Sequence, residues 1–220
     1  MMSDFRRPLI AWTAGLVMLL VPAISPANAV TFGFTNNITN DSPYVGSQLS
    51  VDIQSVDATH VSFTFSNAGP IASSITDIYF VNSPALFSGI SNIGNHAGVN
   101  FSEGATPPGL PGGASFGFGA GSIAFSADST SPVSPNGINP GESLAIAFAL
   151  LGGSSFGDVI TAMFAQTLRI GIHVQSITGG TSDSYLATTP LPGALPLFAT
   201  GLASLAFLRR RKKRLAMGAA

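Results

Sequence analysis

Between residues 30 and 188, short runs of alternating apolar and polar residues recur, each closed by a cluster of turn-forming residues. A period of two sends every second side chain to the same side, so each run reads as a strand with one buried face. Residues 30–35, 49–53 and 61–66 alternate in this way. Asn36-Asn37, Asp57-Ala58-Thr59 and Asn67-Ala68-Gly69-Pro70 separate such runs, because Asn, Asp, Gly and Pro favour turn conformations. Strands of this length and spacing predict an all-β fold, an antiparallel β-sandwich of jelly-roll or Ig-like type.

Further along, residues 75–81 are apolar on both faces, which predicts a strand covered on both sides, with Tyr79 in the core. Residues 87–113 are interrupted by Gly, Pro and Asn, and 106–113 read as an exposed loop. Alternation resumes over 115–126 as a strand weakened by Gly117, Gly119 and Gly121. Residues 144–150 form the most apolar strand, and 158–166 read as a short helix capped by Ser155. Residues 168–174 form the last strong strand, with 184–187 as an edge.

No cysteine occurs, which excludes disulfides and thiolate-bound zinc or iron–sulfur clusters. Residues 30–188 are long enough to bury a core as one domain without covalent staples. The formal net charge of −1 hides a segregation. Between residues 30 and 208 the only Lys or Arg is Arg169, against nine carboxylates: Asp41, Asp52, Asp57, Asp77, Glu103, Asp128, Glu142, Asp158 and Asp183. Such a surface repels a phosphate backbone, so no nucleic-acid partner is expected.

The two ends carry the bases. Residues 1–29 have the layout of a removable signal helix: Arg6 and Arg7, an apolar run over 9–21, then the small residues Ala27 and Ala29 before cleavage by signal peptidase ahead of Val30. That run falls short of the roughly 20 residues a spanning helix needs. Residues 195–208 are also apolar, and stop at Arg209, Arg210, Arg211, Lys212, Lys213 and Arg214. Bases resist translocation, so this cluster is expected to halt a transmembrane helix with the domain outside and residues 215–220 as a cytoplasmic end.

Over residues 189–214, Thr189-Pro190-Leu191-Pro192-Gly193-Ala194, the apolar stretch and the basic cluster together resemble the PEP-CTERM class of sorting tails, in its VPLPA variant. The chain lacks Pro-Glu-Pro, and Thr189 and Gly193 stand where Val and Ala are usual in the variant. The resemblance implies export in exopolysaccharide-producing Gram-negative bacteria and processing by an exosortase around Pro190, Leu191 and Pro192. It further implies a precursor anchored in the inner membrane, then a product in the periplasm, outer envelope or extracellular matrix, with a structural or binding role linked to exopolysaccharide and biofilm. The middle of the chain is similar to uncharacterised exported domains that accompany such tails, from which no activity transfers.

Chemistry-bearing patterns are few. Gly153-Ser154-Ser155-Phe156-Gly157 matches G-x-S-x-G between a predicted strand and a predicted helix, the setting of a nucleophile elbow. His173 follows, but the only acid between them is Asp158, three residues from Ser155. A secreted serine hydrolase using Ser155 is therefore the alternative, and a helix cap is the expectation. His60, His96 and His173 lack metal-ligand spacing. Arg169 and His173 fall on one strand about 13 Å apart, too far to act together. No cofactor is expected except a structural Ca²⁺, which the surplus carboxylates and loop carbonyls suit, against the plainer reading of a solvated acidic surface. Sugar platforms want exposed aromatic rings; with the single tryptophan at position 12, Tyr44 and Tyr185 are the candidates for glycan contact.

Overall fold

A computed structural model describes residues 29–38, 43–82 and 85–188. The strands are β1 (Ala29–Asn37), β2 (Leu49–Ser55), β3 (His60–Asn67), β4 (Ser74–Asn82), β5 (Phe87–Ile93), β6 (Phe101–Glu103) and β7 (Phe125–Ser129). A single helical turn α1 (Val133–Asn136) precedes β8 (Glu142–Leu150), and helix α2 (Phe156–Phe164) precedes β9 (Leu168–Ile177) and β10 (Thr181–Thr188). The all-β, antiparallel character follows the alternation. The arrangement differs from two separate sheets: all ten strands belong to one sheet, in the order β5-β8-β3-β2-β1-β10-β9-β4-β7-β6.

That sheet curls into a nearly closed barrel because β1 serves both halves. Its first residues pair with β2 from Ala29↔Gln54 to Gly33↔Ser50, whereas Asn36 and Asn37 pair with β10. The β10 register shifts between Gly33 and Asn36, and such an irregularity bends a strand and sharpens its twist. The half β5-β8-β3-β2 is thereby folded over β10-β9-β4-β7, and the two meet through aromatic rings. Phe148 on β8 lies 4.8 Å from Phe80 on β4, 5.3 Å from Phe125 on β7 and 5.4 Å from Phe63 on β3, between ring centroids. These separations suit tilted and edge-to-face packing, which adds to the gain from burial.

Strand β4 buries eight of its nine residues. Ile75, Ile78 and Phe80 join the main core, while Tyr79 and Val81 join a second cluster with Leu110 and Phe118. The second layer is residues 104–124, a strap laid over the outer face of the sheet. The strap explains two departures from expectation. Residues 115–126 are not a strand: Gly117 at φ +76° closes one short turn, Ala120–Ser122 forms another, and only Phe125–Ser129 pairs. Phe118 is thus turned down onto β4 and β9. Strand β9 receives it through Gly171, where a Cβ would come within 2.7 Å of Leu110 and 3.0 Å of Phe118. The second departure is β10, expected at an edge yet lying between β1 and β9. Its Tyr185 points into the core, and Leu186 packs under the strap.

At the end of the barrel where β3 runs out, Gln48 and Asn67 are buried and fully engaged. The Gln48 amide donates to Asn67 Oδ1 (2.7 Å), Ile71 O (2.8 Å) and Ser73 Oγ (3.0 Å), and its oxygen accepts from Ile71 N–H (3.0 Å). This closes the β3–β4 connection without an unpaired buried amide.

Because Phe148 joins β3, β4, β5 and β7 at once, Phe148→Ala is expected to cost about 3–5 kcal/mol. The check is the midpoint of chemical denaturation, with Phe148→Leu expected to lose less.

Candidate functional site

Among the described residues, a row of ionisable side chains lies on the outer face, beneath the strap. Antiparallel pairing places His173 of β9 opposite Asp77 of β4, and Asp77 opposite Asp128 of β7. Directly paired residues share a face, so the three form a row across three strands. His173 Nδ1 and Asp77 Oδ2 are 3.2 Å apart. Thr76 Oγ1 donates to the same oxygen (2.8 Å), and Asp128 Oδ2 accepts the Thr106 N–H of the strap (3.2 Å). Asp77 is 2 % exposed. Beside the row, Tyr79 donates its hydroxyl proton to Pro107 O (2.9 Å).

Burial pushes the Asp128 carboxyl above the usual carboxylate range; the neighbouring Asp77 charge and a hydrogen bond between the two acids add to the effect, and Thr106 opposes it. Burial also raises the Tyr79 hydroxyl, helped by Asp77 and Asp128. On the other side, Ser184 of β10 sits opposite His173, its hydroxyl buried and without a hydrogen-bond partner among the described residues. A Ser–His–Asp–Asp sequence of side chains thus crosses four strands. The serine and the first aspartate are closed from solvent, so the row acts as a polar seam that fastens the strap. A cleft of about 320 Å³ opens beside it, lined by Glu103, Ala105, Pro108, Ile123, Phe125 and Ser126.

Arg169 completes the fastening. Its guanidinium donates to Phe116 O (2.7 Å) and Gly117 O (3.3 Å), and lies 5.0 Å from the centre of the Phe118 ring. It makes no hydrogen bond with His173, in keeping with their spacing along β9.

The residues singled out in the sequence fall elsewhere. Ser155 is the N-cap of α2: its hydroxyl donates to Asp158 Oδ2 (2.7 Å) and accepts from Asp158 N–H (3.3 Å), while Ser155 N–H donates to Asp158 Oδ2 (2.8 Å). This reciprocal capping box uses the acid that a catalytic reading would have needed. Gly153, at φ +93°, supplies the turn before it. His173 is turned to Asp77, His60 to Asp57 and His96 to Gly94 O. Tyr44 is 41 % exposed, but Tyr185 is wholly buried, with its hydroxyl accepting the Val45 N–H, and offers no face to a sugar. Tyr44 lies against it at 5.9 Å.

Among the described residues no group of three or more His, Asp or Glu side chains is arranged to hold a metal ion. No helix among them is long and apolar enough to cross a membrane. Ala29 opens β1, whereas Ala27, Pro190, Leu191, Pro192 and the bases from Arg209 to Arg214 lie outside the described residues, as do the two segments expected from the sequence as a signal helix and a transmembrane helix.

Sequence reasoning missed the row because its members are far apart in the chain. The available signal was Asp77, a carboxylate inside a run otherwise apolar on both faces. No known protein family, curated protein or solved structure matches the chain.

Two outcomes follow from these contacts. The folded Asp128 is a weaker acid than the unfolded group at 3.8, so its contribution to stability is full below pH 3.8 and is lost as pH rises through the folded value. Asp128→Asn cannot lose a proton: denaturation at pH 7 is expected to show it more stable than the parent, and at pH 3 to show no gain. Ser155→Ala removes the α2 cap and is expected to cost about 1 kcal/mol. A serine-reactive phosphonate should leave Ser155 unlabelled.

Proposed function

We propose that this chain is an exported cell-envelope or extracellular-matrix protein. Its tail holds it at the outer face of the inner membrane until an exosortase-like protease releases it, and its role is structural or binding, linked to exopolysaccharide. The observation that carries this reading is the charge segregation: one cation in residues 30–208, then six consecutive bases directly after an apolar run. A translocating chain keeps such a cluster on the cytoplasmic side and its acidic part outside.

The exits of the domain suit that topology. Gly33 of β1 pairs with Thr188 of β10 in antiparallel register, so the finish of β10 lies beside the middle of β1 and runs toward the pole at which β1 begins. Because the two strands are antiparallel, the beginning of β1 and the finish of β10 point toward the same pole, which suits apolar ends that enter one bilayer with the barrel on a single side. The strap and the buried polar row supply rigidity, and no open, solvent-facing set of catalytic groups accompanies them among the described residues. A structural or binding role fits that arrangement better than hydrolysis.

Mass spectrometry of the native polypeptide tests the proposal. The mature form is expected to begin at Val30 and to end near Pro190–Pro192, and replacing the six bases with Ser should abolish the C-terminal cut. Recovery from the cytosol with Met1 and Ala220 both attached would overturn the reading.

A further inference from the structure

The pole from which both ends leave also gathers exposed apolar side chains. Among the described residues the exposed large apolar side chains are Tyr44, Val56, Phe116, Val133, Leu151 and Phe164. Four of these belong to this pole. Val56 caps the β2–β3 hairpin just past Gln54, the partner of Ala29, and is 58 % exposed. Leu151 follows β8, where its N–H donates to Leu86 O and the adjoining Leu150 N–H donates to Thr59 O of the same hairpin. Phe164 ends α2 with its ring 5.6 Å from Phe32, three residues into β1, and is 47 % exposed. Phe116 is held by Arg169 at the start of β9, beside the finish of β10.

Tether length decides what such a surface meets. Only residues 189–194 separate Thr188 from the apolar run at 195–208. Six residues extend at most about 20 Å, less than the ~30 Å length of a nine-residue strand such as β8. With the tail in the bilayer, this pole is held at the lipid surface and the opposite pole faces away.

We infer that the pole bearing Val56, Phe116, Leu151 and Phe164 docks on the lipid surface, seating the barrel upright on the membrane before release. This rests on the membrane reading of the tail given above. Half-exposed apolar side chains at an interface gain by entering the headgroup and acyl boundary. Among the described residues, the ionisable side chains near this pole include Asp57, Asp158, His60 and Arg169. Hydrogen bonds from Thr59 and His60 hold Asp57 down at about 2, and those from Ser155 hold Asp158 below the usual range. Both carboxylates therefore stay ionised, so the surface suits zwitterionic lipid and is repelled by anionic lipid.

The absence of cysteine makes single-cysteine labelling specific. The full chain, reconstituted into phosphatidylcholine–phosphatidylethanolamine vesicles, would carry an environment-sensitive fluorophore at Val56→Cys, at Leu151→Cys, or at Ala68→Cys on the opposite pole. Brominated lipid is expected to quench the first two and spare the third, and added phosphatidylglycerol to reduce the quenching. Vesicle flotation reads the tail separately. Co-flotation with all three probes unquenched overturns the docking while the tail reading stands, and failure to float removes both. Disulfide-linked pairs of Val56→Cys without quenching would give the pole to a second copy, and also overturn it.

Discussion

Strand β4 lies in the wall of the barrel with apolar residues on both faces, and a strand of that kind needs an apolar layer on each side. The inner layer is the aromatic cluster in which Phe80 meets Phe63, Phe65 and Phe148. The outer layer cannot come from a second sheet, because the one sheet is already committed to curling round the core. The strap of residues 104–124 fills the place, with Leu110 and Phe118 over Tyr79 and Val81. Most other features of this face follow from that covering. Gly171 must lack a side chain, Arg169 must reach up to the strap carbonyls, and the polar groups between strap and sheet must satisfy one another.

The polar row under the strap shows how that last requirement is met. Asp77 is buried by the same layer that covers Tyr79, and a lone buried carboxylate would be costly. His173 and Thr76 hydrogen-bond its Oδ2, and Asp128 answers from the other side, itself tied to the strap by Thr106. The row joins β9, β4 and β7 to the strap through directed contacts, whereas the apolar contacts above it are non-directional. It fixes the strap in register as well as in place.

The bend in β1 organises the remainder. Pairing first with β2 and then with β10, it lets ten strands turn back on themselves and points the domain's two exits toward the same pole. Hairpin 55–60, the end of β8 and helix α2 gather around the pole at which β1 begins. The opposite pole is closed by the Gln48–Asn67–Ser73 network.

Alternation placed β1, β2, β3, β8 and β9 where they stand, and β4 was legible as a strand covered twice, whereas β5 and β6 lie in the stretch that Gly, Pro and Asn interrupt. The Ser155 cap was legible as well, because capping is a local hydrogen-bond pattern within three residues. Tertiary structure decided what local pattern leaves open. Phe116 and Phe118 alternate as a strand would, yet Gly117 can take a left-handed turn, and the uncovered face of β4 drew Phe118 down. Residues 184–187 read as an edge because their own apolar content is modest, but β1 and β9 enclose the strand and bury Tyr185. Asp77, Asp128 and His173 become neighbours only when β7, β4 and β9 align, since cross-strand register is set by the whole sheet and leaves no trace in spacing along the chain.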